Sequence, residues 1–264
     1  MLSGEGIMEN NYQCTAFIIT AVEIETNSIK SLYNDWKKIS VEGDSQVYYE
    51  TFFEKDGKRQ RIITAQQSVM GMTAATVLTM KAIETFKPRY VIMSGIAAGT
   101  GDEAKQIYGD VIVPDVIWDY STGKFVGPDE TEIRFGDIGF LPRPRSVYID
   151  KEIVDIVKDT MGREDNEFHV HIGPLACGSS VVANRAVVEK QVLSLFPHTV
   201  GLDMESYSVA FTCQNCKAPQ PTAIIIKSIC DFADSEKSDQ YQKFAAYTSS
   251  GYTKYLLENQ LPLE

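Results

Sequence analysis

Histidine occurs only three times in this 264-residue chain, tryptophan twice and cysteine five times. The cysteines, Cys14, Cys177, Cys213, Cys216 and Cys230, are odd in number and scattered, so they make no disulfide framework and fit free thiols in a reducing compartment. Basic residues are also in deficit, and the net charge of −11 argues against a general grip on nucleic-acid phosphates. No apolar run approaches the roughly 20 residues that cross a bilayer; Phe17 to Val22 and Ala223 to Ile226 are among the most apolar. The start, Met1 to Gln13, is polar, with no basic segment leading into an apolar stretch. The expectation is a cytoplasmic chain with a flexible segment over 1–13 and one domain over 14–264, needing neither membrane nor nucleic acid as partner.

What is present is the ordinary composition of a globular protein, 44% hydrophobic and 23% charged. Cys14 to Val22 (CTAFIITAV) is continuously apolar and β-branched, as a strand buried on both faces of a parallel sheet would be. A hairpin follows, Gln46 to Glu54 and Arg59 to Thr64, around an Asp-Gly turn signal. Met72 to Phe86 has helical spacing and ends at Lys87-Pro88, Tyr90 to Ser94 reads as a second buried strand, and Gly95 to Gly99 as a tight turn. Asp110 to Val116 is a third strand. Asp119 to Ser146, rich in Gly, Pro and charge, reads as a long loop or lid.

The βα rhythm then continues with helices over Lys151 to Met161, Arg185 to Leu195, Glu205 to Cys216 and Asp239 to Leu257. Strands are expected over Phe168 to Leu175, Thr199 to Met204 and Ala223 to Ile229. Such alternation gives a three-layer α/β/α fold around a central mixed, mostly parallel sheet. Ligands of these folds bind beyond the carboxyl ends of the strands.

Three acidic segments fall at such ends: Glu23-Ile24-Glu25, Asp203-Met204-Glu205 and Asp231-Phe232-Ala233-Asp234. One carboxylate at a strand end is ordinarily a helix cap. Three converging on one sheet edge repel one another and point to proton transfer instead. Cys213-x-x-Cys216 lacks a second pair or zinc-finger histidines, and His169 with His171 lacks a third ligand, so neither a metal nor a cofactor is expected.

The segments ITAVEIE (19–25), VIMSGIAAG (91–99), GLDMES (201–206) and KSICDFAD (227–234) stand in an order and spacing that resemble the nucleoside phosphorylase and nucleosidase superfamily, above all 5'-methylthioadenosine/S-adenosylhomocysteine nucleosidases. The resemblance covers about Ala16 to Leu257. It implies a purine nucleosidase, with Asp231 as the acid that protonates the leaving base and Glu25 as the base that activates water. It further implies Glu205 as acceptor for the ribose hydroxyls, Met204 packed on the sugar, and Ala97 and Ala98 as close-approach positions. Val181 and Val182 fall where the family packs its base, although the family's aromatic is missing there; Tyr241 falls near the residue that covers the ligand, and Ser228 belongs to the Ser-x-x-Asp segment. Lys227 stands where the family has arginine.

A small-molecule purine nucleoside, with adenine as base, is the implied partner, and a homodimer the implied assembly. Phosphorylases of this superfamily place arginines after the first strand and beside the glycine turn, whereas this chain has Glu23, Glu25 and Met93-Ser94-Gly95-Ile96 there. That favours hydrolysis. Left open are a phosphorylase, an AMP or ATP nucleosidase using Lys124, Arg134, Arg143 and Arg145 to read a 5'-phosphate, and a non-catalytic nucleoside sensor.

Overall fold

The computed structural model describes residues 11–101, 105–135, 137–161, 169–234 and 239–263. The run CTAFIIT forms β1 (Cys14–Thr20), with Phe17, Ile18 and Ile19 fully buried. Helix α1 (Glu23–Ser31) follows at once. It carries no clear apolar stripe, since only Glu25, Thr26 and Ile29 are buried, and nothing in its spacing marks it as a helix.

Strand β2 (Lys37–Ile39) leads to the expected hairpin of β3 (Tyr48–Lys55) and β4 (Lys58–Gln66), whose Asp56 and Gly57 take φ of 52° and 72°. Helix α2 (Met72–Phe86) stops at Lys87. Strand β5 (Pro88–Gly99) does not turn at Gly95: it stays extended through Gly99, because β13 (Thr222–Asp231) pairs with it as far as Ala98. The glycines there serve close approach.

Strand β6 (Val111–Asp119) opens the region read as a loop. That reading is corrected: β7 (Gly123–Val126), β8 (Arg134–Phe135) and β9 (Ile138–Pro142) form a separate three-stranded sheet, and β10 (Arg145–Tyr148) pairs antiparallel with β6. These strands are two to five residues long, too short to show a period, and the small sheet is joined by ring contacts between Phe125, Phe135 and Phe140.

Helix α3 (Lys151–Thr160) is capped by Asp150, which accepts from Glu152 N. Strand β11 (Val170–Cys177) follows; Phe168 lies outside the described residues. Helix α4 (Arg185–Val187) runs on as wider turns over 188–193, and β12 (Gly201–Asp203), α5 (Ser206–Asn215) and α6 (Gln242–Tyr255) complete the chain.

The sheet is mixed. Parallel pairings join β1 to β4 and β5, and β5 to β13, while the β2–β3–β4 edge is antiparallel. Strands β5, β13, β6, β11 and β12 close on one another in a ring, since β12 pairs antiparallel with β5 and β13 bridges β5 and β6. The register sets Ala98 opposite Leu202 on one side and Asp231 on the other. Helices α1 and α6 pack together, as do α2 and α5. Residues 1–10 of the expected flexible segment lie outside the described residues; Gln13 N already donates to Lys87 O at 2.9 Å.

Candidate active site

A cavity of about 640 Å³ lies at the ends of β1, β5, β12 and β13. Its wall brings together Glu25, Ala97, Ala98, Val181, Val182, Met204, Glu205 and Asp231 of the residues singled out from sequence. Ser228 and Tyr241 do not reach it. Strand alternation turns Ser228 away from the face that carries Lys227, leaving it buried with its hydroxyl unpaired. Tyr241 stacks on Tyr108, ring centroids 3.8 Å apart, and its neighbours Asp239 and Gln242 face the cavity instead.

Glu25 is buried in the first turn of α1. Its Oε2 accepts from Ala21 N at 2.7 Å and Val22 N at 3.2 Å, and its Oε1 accepts from Ile96 N at 2.9 Å. One side chain therefore both caps α1 and lines the cavity. A carboxylate has about four acceptor positions, so one is left for a donor in the cavity.

Glu205 accepts from Gly71 N at 2.8 Å through Oε1, and its Oε2 lies 3.6 Å from Lys227 Nζ. Lys227 is fully buried and stands 3.1 Å from Asp203 Oδ2. Burial works against its charge, yet Asp203, Glu205 and Glu25 outweigh burial and hold the ammonium above its ordinary range. Burial pushes the Glu205 carboxyl up, and Lys227 pulls it only part of the way back. A single ammonium thus serves two buried carboxylates.

Asp231 is held through Oδ1 by Ala233 N at 2.9 Å, while Cys230 Sγ lies 3.3 Å from its Oδ2. Both Cys230 and Asp231 face the cavity, although neighbours in a strand ordinarily point to opposite sides. A bulge between Ile229 and Asp231 re-aims them. Cys230 is not marked by sequence, because a bulge has no pattern of its own.

Tyr120 brings an aromatic ring to the cavity wall that Val181 and Val182 also line. It is buried just past β6, lines the cavity, and its hydroxyl donates to Ser180 O at 3.2 Å. Gly178 makes room for it, since a Cβ there would stand 2.3 Å from the ring. Its position inside an apparent loop hid it.

Six carboxylates line the cavity, those of Glu23, Glu25, Asp203, Glu205, Asp231 and Asp239, and no lysine or arginine does so among the described residues. Lys124, Arg134, Arg143 and Arg145 are exposed and outside it. The two remaining histidine candidates sit elsewhere: His171 Nε2 lies 2.7 Å from Asp110 Oδ2, and His169 is exposed. Among the described residues no group of three or more His, Cys, Asp or Glu side chains is placed to hold a metal ion, and no helix is long and apolar enough to cross a membrane.

The sequence model of the Phosphorylase superfamily matches residues 15–257. The 5'-methylthioadenosine/S-adenosylhomocysteine nucleosidase of Buchnera aphidicola subsp. Schizaphis graminum is 29% identical over 245 residues, covering 91% of this chain and 95% of its own. The uncharacterized protein y4jS of Sinorhizobium fredii is 28% identical over 260 residues, 92% of this chain; the chain spans 60% of that relative's length. Among solved structures, the futalosine hydrolase of Helicobacter pylori superposes with a TM-score of 0.74 at 22% identity, over 93% of this chain and 97% of that one.

Proposed function

The chain belongs to the Phosphorylase superfamily, and from that membership we propose that it hydrolyses the N-glycosidic bond of a purine nucleoside with adenine as base, as the name of its Buchnera relative indicates for that protein. The observation that carries hydrolysis over phosphorolysis is the cavity wall, six carboxylates with no lysine or arginine among the described residues. A phosphate dianion entering there would face those six carboxylates, and among the described residues the nearest cation, Lys227, is buried behind Asp203 and Glu205. The same wall disfavours a 5'-phosphate, so AMP and ATP are poor substrates in this reading.

N-ribosidic cleavage passes through an oxocarbenium-like state, which needs a proton for the base, a nucleophile, and a held sugar. Asp231 gives its proton to N7 of the purine as the C1'–N9 bond breaks and the bonding pair leaves with the base. Water adds to C1', losing a proton to Glu25, whose three backbone donors fix the carboxylate against the cavity. Glu205 accepts from the ribose hydroxyls, and the buried Lys227 keeps a positive charge beside it. Met204, Ala97 and Ala98 pack the sugar and allow close approach, with Val181 and Val182 against the base and Tyr120 beside them.

The reading extends to one domain over 14–264 acting in the cytoplasm as a homodimer. Its five free cysteines support a reducing compartment. Val77 on α2 and Phe211 on α5, two helices packed together, are 52% and 46% exposed, which supports a self-complementary face. A monomeric mass by light scattering would remove the dimer.

The test is release of free base from methylthioadenosine, adenosylhomocysteine, adenosine, inosine, AMP and ATP, each with and without phosphate. Adenine release from the uncharged nucleosides, unchanged by phosphate, is expected. Release that requires phosphate would make the chain a phosphorylase, and binding without release would make it a sensor.

A further inference from the structure

A second cavity, of about 400 Å³, adjoins the first, and Tyr120, Ser180, Val181 and Val182 face both. The chemistry changes across that shared wall. The first cavity carries six carboxylates, whereas among the described residues no charged side chain lines the second. Phe125, Phe135 and Phe140 of the small sheet line it together with Ala183 and Val187, and its polar members, Ser121, Asn184 and Gln191 among them, are all uncharged.

The three phenylalanines are not a closed core. Phe140 is 6% exposed, but Phe125 and Phe135 are 69% and 48% exposed. Apolar rings left half in water beside an uncharged chamber gain by covering it with an apolar group, whereas an ionic group would lose its hydration there. The chamber also has a defined position relative to the reacting bond. It shares no wall with Glu25, Met204 or Glu205, the residues on the sugar side, and adjoins only the 180–182 turn and Tyr120, on the side of the base.

We propose that this chamber takes an uncharged, apolar substituent carried by the purine base, so that the preferred substrates are base-substituted nucleosides of the N6-alkyl or N6-aryl class. The proposal rests on the reading of the larger cavity as a nucleoside hydrolase site. The nucleoside sits among the carboxylates, and its substituent passes Tyr120 into the phenylalanine-walled space.

The experiment compares kcat/KM of the full chain for N6-benzyladenosine, adenosine, and 5'-benzylthioadenosine. N6-benzyladenosine is expected to exceed adenosine by about tenfold or more, the scale of discrimination that a filled apolar pocket gives. Ala183→Phe, which fills the chamber from a position outside the larger cavity, is expected to bring that ratio back to about one. Val187→Phe provides a second filling, and thermal melting establishes that each variant is folded. Hydrolysis of adenosine with no advantage for the N6-benzyl compound would overturn the proposal and leave the hydrolase reading standing. So would an Ala183→Phe effect confined to 5'-benzylthioadenosine, which would assign the chamber to the sugar's 5' end. Failure of all three nucleosides to release base would sink the underlying reading, and the proposal with it.

Discussion

A methyl group on Gly95 would stand 2.3 Å from Oε1 of Glu25 and 2.7 Å from its carboxyl carbon. The carboxylate thus fills the space that any other residue at 95 would claim. It cannot step aside freely, because Ala21 N and Ile96 N hold its two oxygens at 2.7 and 2.9 Å. Gly95→Ala should therefore misplace the proposed base without removing it. The expected outcome is a kcat about a hundredfold lower, the cost of displacing a positioned group by around 1 Å, with the circular-dichroism spectrum retained. Activity within threefold of the parent would show that this placement is not needed.

Asp231→Asn separates the proposed acid from its scaffolding role. Asparagine keeps the oxygen that Ala233 N requires at 2.9 Å, so the local turn should survive. It cannot supply a proton to the leaving base. A kcat lower by about 10²- to 10⁴-fold with little change in KM is expected. A variant retaining a third of parental kcat would remove Asp231 from the chemistry.

The acid limit of stability has a contributor that does not line the cavity. Lys81 and Tyr48, both hydrogen-bonded to Asp44, and then Gln46 N hold its carboxyl at about 2, below the ordinary 3.8. Because the folded value is the lower one, the stabilisation is fully present above about pH 4 and is lost as pH falls through about 2. Lys81 is 38% exposed, so the contribution is that of a surface pair, about 0–1 kcal/mol. Asp44→Asn should lower the urea midpoint slightly at neutral pH and converge on the parent near pH 2. A gap that stays constant down to pH 2 would contradict this assignment.

The long buried strands were legible because burial on both faces leaves continuous β-branched runs, as in Cys14–Thr20 and Thr222–Asp231. Glu25, Glu205 and Asp231 were legible as carboxylates at strand ends. Three kinds of feature were not. Helix α1 buries only three side chains, and strands β7 to β9 are too short for a period. Gly95 reads as a turn residue until a carboxylate is found occupying its missing side chain. Cys230 joins Asp231 at the cavity only through a bulge, whereas period-2 alternation gives no reason to turn both neighbours inward.

Lys227→Met tests whether one buried ammonium holds the two carboxylates together. The side chain is fully buried, 3.1 Å from Asp203 and 3.6 Å from Glu205, so its removal leaves like charges facing each other out of water. A loss of about 3–5 kcal/mol at neutral pH is expected in urea unfolding. Glu205, already pushed up by burial, should rise further once the attraction of Lys227 is gone. An acid whose folded pKa lies above its unfolded one destabilises the fold as pH rises through that interval, so the deficit of the variant should be smaller at pH 5 than at pH 8. A protonated Glu205 also has less acceptor capacity for two sugar hydroxyls. As pH is lowered, KM for adenosine should therefore begin to climb at a higher pH in the variant than in the parent. Lys227→Arg, which keeps the charge, should leave that onset near the parental position even if it packs less well. Equal stability at pH 8 together with an unmoved KM profile would show that Asp203 and Glu205 do not depend on this lysine.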